Sequence, residues 1–198
     1  MKHHHLFPTL VSEFKYVADN NLLNVIKNED MREQKMVFHS TSSMNIKLQE
    51  KKEYQPLVKT ILDNTKEICR MYEYWYEKLE ITNMWINCSK KGDMHSPHNH
   101  SNNTFSGVWY PFQSKTQTPI FFQDPRPSHG VWQPRKPRVN HITTNMMSFP
   151  QKKDLGFIFP SWLMHFVPPA VSPRISISWN LLLRGEYGEP DTLQNAHI

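Results

Sequence analysis

The spacing of apolar residues changes character near residue 80. From Pro56 to Leu79, the residues Leu57, Val58, Ile61, Leu62, Ile68, Cys69, Tyr72, Trp75, Tyr76 and Leu79 recur at helical intervals, while Lys59, Asp63, Lys66, Glu67, Arg70 and Glu73 mostly fall outside that stripe. Such a period predicts one amphipathic helix whose apolar face backs a sheet, and Pro56 suits its first turn. Pro8 to Asn28 carries a looser version of the same pattern (Leu10, Val11, Phe14, Val17, Leu22, Leu23, Ile26), interrupted near Asn20-Asn21, and reads as helical too. Asp30 to Glu53 is polar, with one candidate strand at Lys35 to His39. Beyond Ile81 the texture becomes short β-like runs set apart by Pro, Gly and Asn: Thr82 to Cys88, Phe105 to Phe112, Ile120 to Gln123, Ile142 to Phe149, Gly156 to Phe159, and Arg174 to Leu183. The last run alternates, with Ile175, Ile177 and Trp179 on one face and Ser176, Ser178 and Asn180 on the other.

Many short strands behind a helical start predict an α+β fold with a sandwich or jelly-roll core. We read residues 1–198 as one domain: 1–80 a mainly helical support, 81–185 the β core, 186–198 a tail. The length of 198 residues allows one real core and is short for two. Charged residues at 21%, close to average, argue against disorder. The net charge of +5 is spread over short clusters such as Lys90-Lys91 and Arg135-Lys136-Pro137-Arg138, so nucleic-acid binding is not expected. No apolar stretch approaches a membrane span, and no signal peptide opens the chain. Cys69 and Cys88 form neither a C-x-x-C pair nor a disulfide framework, which suits a reducing cytoplasm. The aromatic content would allow a homodimer. His3-His4-His5 resembles a tag remnant and is left out of any metal argument.

Histidine is where chemistry is to be sought, because neutral imidazole is the commonest protein ligand for iron, zinc and copper. In Met94-His95-Ser96-Pro97-His98-Asn99-His100, a strand would point His98 and His100 to one side, with His95 out of phase. An H-x-H pair alone is weak. A second element strengthens it: His165 sits inside the apolar run Phe157 to Pro169, where a buried ring needs partners for both nitrogens. The alternative for His165 is a satisfied core histidine. The third element is Arg174-Ile175-Ser176-Ile177-Ser178-Trp179-Asn180, nine residues past His165. An arginine aimed into a barrel needs an anion, and its planar fork suits a carboxylate; otherwise Arg174 is a strand-end residue reaching water. Trp109, Trp162 and Trp179 read as core. Ser128 to Asn140, with Trp132, Arg135, Lys136 and Arg138, is a long stretch without strand pattern and a candidate substrate lid.

Taken in order, these elements resemble the 2-oxoglutarate and Fe(II)-dependent dioxygenases, and more narrowly the 2OG-Fe(II) oxygenases of bacteria and marine phages. The resemblance rests on His98 to Tyr110, Phe122-Gln123-Asp124-Pro125-Arg126, Phe159 to Pro169, and Arg174 to Asn180, with Leu6-Phe7-Pro8-Thr9 similar to the family's start. It implies a double-stranded β-helix core, and a hydroxylase that consumes O₂ and 2-oxoglutarate and releases succinate and CO₂. It also implies Fe(II) held by His98 and His165, and the C5 carboxylate of 2-oxoglutarate held by Arg174, aided by Ser176 and by Tyr110. Asn87 and Ser106 are expected to hydrogen-bond around the cosubstrate, although polar strand residues more often face solvent. One departure matters: the superfamily usually has Asp or Glu two residues after the first histidine, and here that residue is His100. The third ligand is then His100, or Asp124 from a neighbouring strand, or solvent or halide. The primary substrate is not legible. Two other readings stay open on the residues alone: a cupin-like metalloenzyme that does not use 2-oxoglutarate, and a non-catalytic jelly-roll binding module.

Overall fold

A computed structural model describes residues 1–4, 6–34, 40–126, 131 and 134–198. The chain runs β1 (Ser12–Lys15), α1 (Asn20–Lys27), β2 (Met31–Gln34), β3 (Ser40–Ser43), two 3₁₀ turns, α2 (Gln55–Tyr72), β4 (Lys78–Ser89), β5 (His95–His98), β6 (Phe105–Trp109), β7 (Ile120–Gln123), β8 (Met146–Phe149), β9 (Leu155–Pro160), β10 (His165–Val167), β11 (Arg174–Arg184), β12 (Glu186–Tyr187) and β13 (Ala196–His197). The strands form a major sheet in the order β1-β9-β6-β11-β4-β3-β2 and a minor sheet in the order β5-β10-β7-β8, both antiparallel. Two facing antiparallel sheets with helices on the outside of the larger one are the expected jelly-roll, α+β architecture. No helix among the described residues is long and apolar enough to cross a membrane.

Alternation along β11 decides which residues meet the helices and which meet the minor sheet. Ile177, Trp179 and Leu181 are fully buried and share a core with Leu57, Ile61 and Ile68 of α2. The intervening Arg174, Ser176 and Asn180, which are buried, and the half-buried Ser178 lie on the opposite face, toward the space between the sheets. A second apolar cluster of Val108, Tyr110, Phe122, Phe157, Phe159 and Val167 fills one side of that space. Gly107 lies opposite Trp179 in the β6–β11 register, and a Cβ there would come within 2.2 Å of Trp179 Cζ2 and 2.8 Å of the Phe157 carbonyl. Gly107→Ala is therefore expected to destabilise the fold by about 1–3 kcal/mol, the usual scale of overpacking. Chemical denaturation measures this, and an unchanged midpoint would mean that Trp179 moves aside freely.

Several local expectations are corrected. The first 80 residues hold both helices and also supply β1, β2 and β3 to the major sheet. Pro8 to Asn28 is not one helical stretch, because Ser12–Lys15 pairs with Leu155–Ile158. The helix starts only after Asp19, whose Oδ1 accepts the Leu22 N–H at 2.8 Å as an N-cap. α2 stops before Trp75, Tyr76 and Leu79. Glu73 takes a left-handed conformation, its N–H donates to the Arg70 carbonyl, and the Tyr74 N–H donates to the Cys69 carbonyl. Leu79 continues instead as β4, opposite Leu183. Trp109 and Trp179 are core, whereas Trp162 is 55% exposed. The candidate strand Lys35 to His39 lies outside the described residues, as do Ser128 and Trp132 of the candidate lid; Arg135, Lys136 and Arg138 are exposed.

Candidate active site

Between the sheets lies a cavity of about 500 Å³, lined by His95, His98 and His165 from the minor sheet and by Asn83, Trp85, Asn87, Tyr110, Arg174, Ser176, Ser178 and Asn180 from the major one, together with His100. Among the described residues, the charged ones in its lining are Arg174 and Arg32. Among the described residues no carboxylate enters it.

Three imidazoles converge there. One ligand atom from each of His98, His100 and His165 lies within 4.8 Å of the other two, and the ring centroids are 4.3 Å (His98–His165), 5.1 Å (His98–His100) and 5.1 Å (His100–His165) apart. His98 and His165 face each other directly in the β5–β10 register. Each holds its ring in the same way: Nδ1 lies 2.7 Å from the Ser96 carbonyl in His98, and 2.9 Å from the Leu163 carbonyl in His165. A carbonyl only accepts, so Nδ1 carries the proton in both rings and Nε2 carries the lone pair, the usual outer support of a metal-binding histidine. β5 ends at His98, so His100 is not placed by strand geometry as expected. Its backbone N–H donates to the Ser161 carbonyl at 2.9 Å, which brings it onto the same centre.

Burial keeps these rings neutral. It pushes His165 down to about 3 and His100 down to about 4, with the neighbouring His98 acting in the same direction, and it lowers His98 itself. His95, which also lines the cavity and lies 3.1 Å from Ser40 Oγ through Nε2, is pushed down to about 3 by burial and then by Arg174. Neutral imidazole is the ligating form. In the unfolded chain each ring returns to about 6.5 and takes a proton that the folded protein refuses, so folding stability is complete above that value and falls as acid is added toward about 4. Metal-free protein is therefore expected to melt at a distinctly lower temperature at about pH 5 than at about pH 7. A melting point flat across that range would mean that these rings are hydrated in the native state.

Arg174 opens β11 and is only 5% exposed. Its guanidinium lies 5.5 Å from the centroid of the Tyr110 ring. The Arg174 Nε and the Tyr110 hydroxyl are both buried without a hydrogen-bond partner among the described residues. Burial lowers the arginine and raises the phenol from their ordinary values, and the attraction between these two neighbouring groups, which stops short of a well-formed hydrogen bond, opposes both shifts. A buried cation with no carboxylate partner is costly unless an anion arrives, so this end of the cavity fits a ligand carboxylate. Ser176 lies beside Arg174 on the same face, opposite Asn87 across β4. Asn87 is already engaged: its Nδ2 donates to Ser178 Oγ at 3.0 Å and its Oδ1 accepts from Trp85 Nε1 at 3.1 Å. Ser106 is tied to Ser161 and Asn180. Asp124 does not join the histidines; its carboxylate accepts from Arg126 Nε and Nη2 in a tight turn. The residues present thus fit ferrous iron and a dicarboxylate without it.

Reading the sequence missed His95, Asn83, Trp85 and Asn180 as cavity residues. The alternation of β4 (Asn83, Trp85, Asn87) and of β11 held the signal, since both strands carry polar residues on one face along their length.

Residues 83–180, from β4 to β11, match the family model described as "Putative 2OG-Fe(II) oxygenase". No curated protein matches the chain in sequence. A Pseudomonas putida prolyl-4-hydroxylase is similar in structure with a TM-score of 0.63 at 11% identity, over 89% of this chain and 94% of that one. A prolyl hydroxylase from Trichoplax adhaerens, solved in complex with a hypoxia inducible factor oxygen degradation domain peptide fragment, gives 0.59 at 11% over 87% and 84%. HygX from Streptomyces hygroscopicus, with nickel and 2-oxoglutarate bound, gives 0.56 at 9% over 88% and 83%. At these identities the structures speak for the fold, and the family model speaks for the chemistry. The chain belongs to the superfamily of 2-oxoglutarate- and Fe(II)-dependent oxygenases.

Proposed function

We propose that His98, His100 and His165 hold the iron, and that Arg174, with Ser176 and Tyr110, holds the far carboxylate of 2-oxoglutarate. One observation carries this reading: three neutral imidazoles with ligand atoms within 4.8 Å of one another share a cavity with a buried guanidinium that has no carboxylate partner among the described residues. When bound, iron and 2-oxoglutarate supply the oxidative chemistry, in which O₂ and 2-oxoglutarate are consumed, succinate and CO₂ leave, and the substrate is hydroxylated.

The protein's own residues position and shield. The Ser96 and Leu163 carbonyls hold the His98 and His165 rings so that Nε2 faces the metal. Arg174 gains the anion that its burial calls for, and Tyr110 offers its unpartnered hydroxyl to the same carboxylate. Asn87, bonded to Ser178 and Trp85, braces the wall beside Ser176. Phe122 and Phe159 pack against the His165 ring, with centroids at 6.0 and 4.7 Å, and exclude water from that side. We read the chain as one working unit, because strands from its first 80 residues complete the sheet that carries Arg174.

Anaerobic addition of Fe(II) followed by 2-oxoglutarate tests the assignment. A weak visible charge-transfer band is expected once both are bound. Bound metal with no band and no 2-oxoglutarate affinity would refute it.

A further inference from the structure

The cavity wall has two unsatisfied ends separated by a satisfied middle. At one end are the Arg174 Nε and the Tyr110 hydroxyl, already assigned to the cosubstrate. In the middle, Asn87, Ser178 and Trp85 satisfy one another. At the other end, about 20 Å along β11 from Arg174 at the usual strand rise, Asn180 lies directly opposite Asn83 of β4. The Asn83 Oδ1 is buried and has no hydrogen-bond partner among the described residues. An orphaned buried carbonyl of this kind has given up its water without a replacement, so its presence in a cavity calls for a ligand donor.

Asn180 supplies the complementary half. Its Oδ1 accepts from Ser106 Oγ at 2.8 Å, and Ser106 is in turn 2.8 Å from Ser161 Oγ. With the oxygen fixed in that chain, the Asn180 NH₂ is the group left to act as donor. Directly paired side chains on neighbouring strands sit about 5 Å apart, so a donor and an acceptor stand side by side. The pairing shifts register just past Asn180, the kind of irregularity that re-aims side chains beside active sites. This end adjoins the proposed iron. Ser161 also accepts the His100 N–H, and the Trp85 ring, two residues from Asn83 on the same face, lies 6.2 Å from the His100 ring.

We infer that Asn83 and Asn180 form the recognition site for the primary substrate, and that the group taken there is a planar amide edge with N–H and C=O on the same side. The Asn83 Oδ1 accepts from its N–H, the Asn180 NH₂ donates to its carbonyl, and the Trp85 indole, held by Asn87, covers its face. A lactam and a primary carboxamide both present this edge. The inference rests on the iron assignment above only for its role as the substrate end of the site.

The test uses full-length protein loaded with Zn(II), a diamagnetic stand-in for iron, and 2-oxoglutarate. Side-chain amide resonances of Asn83 and Asn180 and the indole resonance of Trp85 are followed by NMR while 2-pyrrolidinone, acetamide or N-methyl-2-pyrrolidinone is added. The first two are expected to shift these resonances, and their relative affinities tell lactam from carboxamide; N-methyl-2-pyrrolidinone, which lacks the N–H, is expected to leave them in place. Asn180→Asp, which keeps the acceptor for Ser106 but loses the donor, and Asn83→Leu, which loses the acceptor, are each expected to weaken the effective amide roughly three- to tenfold, the scale of one neutral hydrogen bond. Their 2-oxoglutarate affinity should be unchanged. Equal shifts with the N-methyl compound, no shifts with either amide, or full amide affinity in both variants would overturn the proposal. Amide binding that persists in a protein with no 2-oxoglutarate affinity would overturn the cosubstrate assignment alone.

Discussion

Arg174→Ala is expected to lower 2-oxoglutarate affinity by about 30- to 1000-fold, the loss seen when one partner of a buried, hydrogen-bonded charge pair is removed. The residue is 5% exposed, and among the described residues its Nε has no hydrogen-bond partner and no carboxylate shares its cavity. Arg174→Lys should fall between wild type and alanine, since the charge remains while the two-pronged fork is lost. The metal-free, cosubstrate-free protein should respond in the opposite sense. Replacing an uncompensated buried charge by Met, of similar length, removes a desolvation cost, so Arg174→Met is expected to melt no lower than wild type. Calorimetry of 2-oxoglutarate binding together with thermal melts measures both. Unchanged affinity in Arg174→Ala would remove the anion role, and a large drop in the melting point of Arg174→Met would mean that the guanidinium is structural.

His100→Ala is expected to weaken Fe(II) binding by at least about 100-fold. Removing an outer supporting group already costs about 10- to 100-fold, and a direct ligand contributes more. Asp124→Asn is expected to leave metal affinity unaltered, because that carboxylate is held by Arg126 and stands outside the converging group. His100→Asp is the informative third variant, since it restores a carboxylate two residues after His98 and makes the metal site one charge less positive. Competition with a metal-sensitive chelator under anaerobic conditions ranks the three. If Asp124→Asn loses metal and His100→Ala retains it, the third ligand has been assigned to the wrong residue.

The parts of this protein legible in its sequence are those in which a local pattern has a single physical meaning. Ile120–Gln123 is a strand with the expected bounds, and β11 shows its two faces as a plain alternation of apolar and polar residues. The second half also carried His98, His165 and Arg174 in an order that pointed to metal and anion together. Where two periods compete, local reading went astray. Phe14 belongs to a strand rather than a helix because its partner, Gly156, comes from β9, far along the chain. Trp75 and Tyr76 fit the helical stripe, but Glu73 turned the backbone out of the helix before them. Nothing in the letters marks that turn, since Glu is not a residue that favours left-handed geometry.

By itself the sequence determined the α+β, β-rich class, the alternation that sends Arg174, Ser176 and Ser178 to one face, and the absence of a carboxylate two residues after His98. These follow from covalent order and from the two-residue period of a strand, which need no distant partner. Only the tertiary structure decided that His100 reaches the centre by a backbone bond to Ser161, that Asp124 is held instead by Arg126, and that Asn83 and Asn180 stand opposite each other with an orphaned carbonyl between the sheets. Each of those depends on register between segments far apart in the chain. Register is set by the packing of the whole sandwich, and no window of sequence contains it.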